Sequence, residues 1–225
     1  MMIAILGTGS VGRALAEGLS GAGHGVCLGT RDPEATRRRE DPDQYGNPPL
    51  AQWLADHPSV DLATYSACAM RADIVVNATN GQGSLLALQA AGSDNLAGKI
   101  LIDVANPLDF SGGFPPTLFV KQTDSLGEQI QRMFPEARVV KTLNTMTAGL
   151  MLNPGRLGEP SAVFLSGDDA DAKREVRDLL AAFGWEQIID LGGIVTARGV
   201  EMLMPMWLQL MGTFGDPDFN WSVVR

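Results

Sequence analysis

The chain opens with "MIAILGTGSVGRALAEGL": a short apolar run, three glycines spaced GxGxxG, and an amphipathic run. No other stretch constrains the fold as strongly. The apolar run reads as a buried strand, and Val11, Leu15 and Leu19 share one face of a helix. Between them, Gly7 permits a tight turn, Gly9 leaves room for an anion to approach the backbone, and Gly12 lets helix and strand pack closely. The amides at the helix start present partial positive charge. Thr8 and Ser10 can add hydroxyl donors, Ser10 alternatively capping the helix, and Val11 completes the loop. In this strand–helix context the spacing reads as a loop for a dinucleotide pyrophosphate rather than as a plain glycine-rich turn.

The second apolar run ends "VCLGTRDPEA". About 20 residues beyond such glycines an acid commonly holds a ribose hydroxyl. Thr30 and Arg31 stand there instead. A guanidinium grips a 2′-phosphate with a planar donor fork, and a threonine adds a hydroxyl. Asp32 is assigned to a helix cap because Pro33 follows it. The pair therefore points to NADP(H). In the run Arg37, Arg38 and Arg39, one cation could assist the phosphate, although a solvated helix face is the plainer reading.

Short apolar runs then alternate with amphipathic stretches, including "VDLAT", "ADIVVNAT", "GKILIDVANP", "ARVVKTLNT", "SAVFLSGDD" and "WEQIIDLGG". That rhythm predicts an α/β fold, a Rossmann-type doubly wound, mostly parallel sheet with a smaller C-terminal α-rich portion. Residues 1–150 are expected to form the nucleotide-binding domain and 151–225 a smaller α/β extension packed on it. "DPDQYGNPPL" reads as loop. "LDFSGGFPPTLF" lacks either period and reads as an ordered loop. The terminal "ARGVEMLMPMWLQLMGTFG" reads as a Met-rich helix broken or kinked at Pro205.

With 45% hydrophobic residues and a net charge of −9, the chain is an ordinary globular sequence that disfavours nucleic acid and anionic membranes as partners. No signal peptide or membrane span is read from it. Cys27 and Cys68 belong to no CxxC pair and read as reduced, buried thiols of a cytoplasmic protein.

The segments "ILGTGSVGRALAEGL", "GTRDP", "ADIVVNAT", "LIDVANPLDF", "VVKTLNT" and "DPDFNWSVVR" together resemble the NADP oxidoreductase, coenzyme F420-dependent family (NADPH:deazaflavin oxidoreductases and relatives), over almost the full length. The resemblance implies a Rossmann domain with a smaller C-terminal portion. It also implies hydride exchange between NADPH and a second ligand near the nicotinamide. By the same resemblance, the loop Gly7–Gly12 and the pair Thr30 and Arg31 bind NADP.

Ligands of such sheets gather beyond the carboxyl ends of the strands. Two strand exits, Asn77–Asn80 and Val104–Pro107, should therefore border the nicotinamide half. Small Ala78 and Ala105 would let it lie flat, with Thr79, Asn80 and Pro107 beside them. Asn106 and Asn144 could bond ribose or carboxamide, or else satisfy turns at strand ends.

No residue stands out as a catalytic acid. His24 and His57 are badly placed and read as surface groups, the tyrosines are only Tyr45 and Tyr65, and Lys141 reads as buried beside an ion partner. No metal-ligand cluster is visible. A carbonyl reductase wants a proton donor, whereas hydride exchange between two ring systems relies on orientation. The poor acid–base set thus favours a planar acceptor, deazaflavin F420 or a flavin. Against F420 itself stands the scarcity of cations to meet its anionic tail. Reduction of a small carbonyl or imine, and a non-catalytic NADP-binding regulator, remain as alternatives. Phe110, Phe114 and Pro115 could cover the acceptor as a lid. Trp207, on the Met-rich helix, could join them, and that helix could equally be core or the seam of a homodimer.

Overall fold

A computed structural model describes residues 1–42 and 46–224. Tyr45 lies outside the described residues. The chain runs β1 (Met2–Leu6), α1 (Ser10–Gly21), β2 (Gly25–Thr30), α2 (Pro33–Arg37), α3 (Leu50–Asp56), β3 (Val60–Thr64), α4 (Tyr65–Arg71) and β4 (Ile74–Asn77). It continues with α5 (Ser84–Ala91), α6 (Ser93–Leu96), β5 (Ile100–Asp103), β6 (Leu108–Asp109), β7 (Thr117–Leu118), α7 (Leu126–Met133) and β8 (Arg138–Lys141). The remainder is α8 (Ala148–Met151), β9 (Ala162–Leu165), α9 (Ala170–Ala182), β10 (Gln187–Asp190), α10 (Ala197–Met202) and α11 (Met204–Phe214).

Six strands form a parallel sheet in the order β3-β2-β1-β4-β5-β8. The fold is the expected Rossmann-type α/β sheet. The strand order reverses between β1 and β4, so the loops after these strands diverge and open a crevice at their carboxyl ends. Strands β9 and β10 pair in parallel with each other, and an antiparallel bridge from Lys141 to Ser166 joins β9 to the last strand of the main sheet.

Both faces of the sheet are covered, which is why its strands are apolar throughout rather than alternating with polar residues. In β1, Ile3 and Ile5 pack with α1, α8 and α9, whereas Ala4 and Leu6 pack with α4, α5 and α7. Val163, Leu165, Val176 and Trp185 of the C-terminal portion belong to the same core as Ile3 and Leu15.

Four local expectations are corrected. Cys27 and Cys68 are joined by a disulfide and are not free thiols. The turn from β3 into α4 lays that helix over β2, bringing their Cα atoms to 5.6 Å, a proximity that sequence spacing does not reveal. The 108–119 segment closes on itself as a short antiparallel hairpin, Leu108 opposite Leu118. The helix after Asp32 stops at Arg37, so Arg38 and Arg39 leave it. His57 is only half exposed, its ring stacked on Trp53 with centroids 4.0 Å apart. The terminal Met-rich run divides into α10 and α11, with Pro205 in the first turn of the second, as its sequence suggests.

Candidate functional site: a dinucleotide cleft at the strand switch point

The three glycines of the first loop differ in what surrounds them. Gly7 has φ +121°, and a Cβ there would lie 2.4 Å from the Ala78 carbonyl oxygen. A Cβ on Gly12 would lie 2.2 Å from the Gly7 oxygen. A Cβ on Gly9 would meet nothing within 4 Å, because Gly9 borders open cleft. Two positions are thus glycine for packing, and the third leaves space where a pyrophosphate would sit. Gly9 also occupies the N-cap of α1, and no side chain caps that helix. Ser10 is its first residue and not its cap, so the leading amides stay available to an anion. Arg13 braces the loop from beneath, its Nε donating to the Thr8 carbonyl.

The cleft over the switch point has a volume of about 530 Å³. Gly9, Ser10 and Val11 line one side, Ala78, Thr79, Asn80 and Gly81 a second, and Val104, Ala105, Asn106, Leu108 and Phe110 the third. The two strand exits touch: a Cβ on Gly81 would fall 2.0 Å from the Asn106 oxygen. Beneath them, buried Asn77 donates to Asp103 Oδ1 (2.8 Å) and Ser84 Oγ (3.1 Å), and accepts from Thr79 Oγ1 (2.6 Å). Sequence reasoning missed Gly81, Ser84 and Asp103. The glycine was a visible signal, whereas the buried polar pair became meaningful only once strands β4 and β5 were adjacent.

A second cleft of about 610 Å³ adjoins the first at Gly9, lined also by Thr8, Arg13, Thr36, Arg38 and Arg39. It lies on the side where the adenosine half of a dinucleotide is expected. Arg38 and Arg39 of the arginine run border it together with Glu40 and Asp41, and Arg38 also pairs with Glu34 at 4.0 Å on the exposed face. Arg31 is exposed at the end of β2. Asp32 caps α2, its Oδ1 accepting from Ala35 N at 2.9 Å, as its sequence context suggests. Thr30 differs from expectation: it is buried, and its hydroxyl lies 2.9 Å from that of Thr36, which donates to the Asp32 carbonyl. Thr30 thus shapes the turn from within. Burial raises the Tyr65 phenol above its ordinary range, and the fields of Arg31 and Arg39 offset part of that rise. Two guanidinium groups therefore act on one ring at the ends of β2 and β3.

Several expected ligand contacts are already taken. Asn144 is buried, and its Nδ2 donates to Asn106 Oδ1 (2.9 Å) and the Val200 carbonyl (3.2 Å). Asn106 Nδ2 returns a bond to the Asn144 carbonyl at 2.8 Å. Asn80 caps the turn after β4, accepting from Gln82 N. Pro107 is buried under the hairpin, its carbonyl accepting from Phe119 N. Of the lid residues, Phe110 lines the cleft, whereas Phe114 and Pro115 stand exposed at the hairpin tip. Trp207 is buried and stacks on Phe219 of the terminal tail, with ring centroids 5.3 Å apart.

Lys141 is buried beside ion partners as expected. Its ammonium lies 2.8 Å from Asp103 Oδ2 and 3.0 Å from Glu201 Oε1. Burial lowers its pKa, but the two carboxylates outweigh that effect and leave it raised. The chain has a larger surface groove, about 710 Å³, lined by Arg132, Arg138 and Asp169 among others, well away from the glycine loop. Its arginines are paired internally, Arg132 with Asp124 and Arg138 with Asp169 and Glu175, so it offers an anion little uncommitted charge.

Among the described residues, no helix is long and apolar enough to cross a membrane, and no group of His, Cys, Asp and Glu could hold a metal ion. Residues 2–107 match the family model "NADP oxidoreductase coenzyme F420-dependent". A crystal structure from Arthrobacter sp. FB24, of a candidate F420-dependent NADP-reductase, is 57% identical with a TM-score of 0.96, each chain covering 100% of the other. The F420-dependent NADP reductase of Methanothermobacter thermautotrophicus is 28% identical over 93% of this chain and 89% of its own. The metalloreductase STEAP3 of Rattus norvegicus is 29% identical over 91% of this chain, which spans only 37% of that protein's length. The glycine loop, the switch-point cleft and full-length likeness agree: the chain belongs to the NADP oxidoreductase, coenzyme F420-dependent family, and is an NADP-linked oxidoreductase.

Proposed function

We propose that this protein exchanges hydride between NADP(H) and a planar, flavin-like acceptor, a deazaflavin or a flavin, across the switch-point cleft. One observation carries the reading: among the described residues, none that lines that cleft, from Gly9 to Phe110, bears an ionisable side chain. A carbonyl reductase needs a proton donor at the developing oxyanion, and this wall offers only hydroxyl and amide groups. Ring-to-ring hydride transfer needs parallel surfaces and exclusion of water.

NADP(H) would supply the hydride, and the open space at Gly9 and the uncapped start of α1 fit its pyrophosphate. In this reading the α1 amides with Thr8, Gly9 and Ser10 hold the pyrophosphate, and Arg31 takes the 2′-phosphate with Arg38 or Arg39 beside it. Ala78 and Ala105 give the nicotinamide half a smooth floor, and Phe110 forms the apolar flank on which an aromatic acceptor packs.

The test is anaerobic NADPH oxidation with F420, FMN, FAD and riboflavin, run beside a panel of ketones and cyclic imines. Turnover with a ring acceptor and none with the carbonyl panel supports the reading. The reverse pattern, or tight NADPH binding without turnover by any acceptor, overturns it.

A further inference from the structure

Under the cleft floor lies a buried ionic cluster. Lys141, Asp103 and Glu201 are one cation and two carboxyl groups, all essentially without solvent contact. Desolvating each ion costs several kcal/mol, and apolar residues of similar volume commonly replace such clusters without loss of stability. Every polar atom is nonetheless matched. The three ammonium protons go to Asp103 Oδ2, Glu201 Oε1 and the carbonyl of Ala105. Asp103 Oδ1 accepts from Asn77 Nδ2 (2.8 Å) and the Ala105 amide (3.2 Å). Glu201 Oε2 and Oε1 accept from the amides of Leu126 (2.8 Å) and Gly127 (3.0 Å), at the start of α7.

The partners lie far apart in sequence and meet at one peptide. Ala105 is held at its amide by Asp103 and at its carbonyl by Lys141, and it is a wall residue of the cleft. Its neighbour Asn106 is fixed through Asn144, whose amide also reaches the α10 carbonyl of Val200, next to Glu201. The wall is thus tied to the C-terminal helices by two routes.

We infer that Lys141 is a positioning residue: by holding the Ala105 carbonyl between Asp103 and Glu201, it fixes the Val104–Asn106 wall in the shape that orients the nicotinamide for hydride transfer. This rests on the hydride-exchange reading above for its kinetic consequence, but not for its effect on bound cofactor.

Two variants separate positioning from charge balance. Lys141→Met leaves two buried carboxylates facing one another. The double variant Asp103→Asn with Lys141→Met removes one of those charges, and the side-chain oxygen of the introduced asparagine can still accept from the Ala105 amide. The readouts are melting temperature, NADPH dissociation constant, emission of the bound nicotinamide, and kcat against KM. In the double variant we expect a melting temperature above that of Lys141→Met, because one buried carboxylate rather than two is left without a cation, and an NADPH dissociation constant within about threefold of wild type, because the phosphate contacts are untouched. We expect nicotinamide emission moved towards that of free NADPH and kcat reduced about 100-fold, with a larger deuterium isotope effect. Recovery of wild-type emission and kcat together with stability would overturn the inference, since charge balance alone would then suffice. A double variant that fails to fold would count against it equally, making the cluster a folding element. If wild type turns over no acceptor, the functional reading fails, and emission in the double variant still decides the role of Lys141.

Discussion

Arg31→Asp is the sharpest perturbation of the cofactor assignment. Arg31 is exposed at the end of β2, and among the described residues no carboxylate forms an ion pair with it. Its neighbour Asp32 is committed to the α2 cap. A phosphate monoester at neutral pH carries about 1.5 to 2 negative charges. A hydrogen bond to a charged group contributes about 1.5–3 kcal/mol. At about 4 Å the Coulomb energy of two unit charges is about 1 kcal/mol in water and about 4 kcal/mol at the effective dielectric of a protein surface. The exposure of Arg31 places it nearer the lower figure. Losing the attraction and adding a repelling carboxylate should together cost about 3 kcal/mol, a roughly 150-fold weaker NADPH complex. NADH lacks the phosphate, so its affinity should change less than about threefold. Calorimetric titration with both dinucleotides measures the difference. Repeating it at high salt should shrink the NADPH loss, because an exposed ion pair is screened. Equal losses for the two dinucleotides, or a salt-independent loss, would refute the reasoning.

Gly12→Ala drives a methyl to within 2.2 Å of a backbone oxygen that cannot swing aside. It should cost about 1–3 kcal/mol of stability and weaken NADPH binding more than tenfold, read by thermal melts and titration. Asp124 is held well below the ordinary carboxylate range, chiefly by hydrogen bonds from Arg132, partly offset by burial. A depressed carboxylate stabilises the fold above its unfolded pKa, about 3.9, and that contribution is lost as pH falls towards its native value. Asp124→Asn should therefore flatten the acid limb of a stability–pH curve below about pH 4, modestly because Arg132 is exposed, and an unchanged limb would show that other groups control it. The Cys27–Cys68 bridge should appear as one linked peptide pair in a non-reducing digest and as two peptides after dithiothreitol. With its ends separated by 41 in sequence, removing it should cost up to about 4 kcal/mol, visible as a lower denaturation midpoint.

Much of this protein was legible in one dimension because the physics involved is local. The glycines of the first loop, the alternation of strand and helix, the cap at Asp32 and the break at Pro205 each depend on a few consecutive residues. So does the arginine after β2, whose position relative to the glycines follows from the length of one strand–helix–strand unit. The family resemblance rests on the same segments.

The remainder depends on which distant segments become neighbours. Asn106 and Asn144 read in sequence either as ligand-binding amides or as residues that satisfy turns, and they bond each other once β5 and β8 lie side by side, with Asn106 still lining the cleft. Thr30 reads in sequence as a phosphate donor, and only the fold shows that α2 folds back to bring Thr36 to its hydroxyl. Cys27 and Cys68 look like separate thiols until α4 crosses β2. Glu201 carries no local signature, yet it caps α7 and meets the ammonium of Lys141 beneath the cleft. Short-range periodicity and turn chemistry thus determined the sheet and the glycine loop and pointed to the cofactor class. The choice between a side chain that faces the ligand and one that serves the protein was made only by tertiary packing, because a hydrogen-bonding group goes to whichever partner the fold brings within about 3 Å.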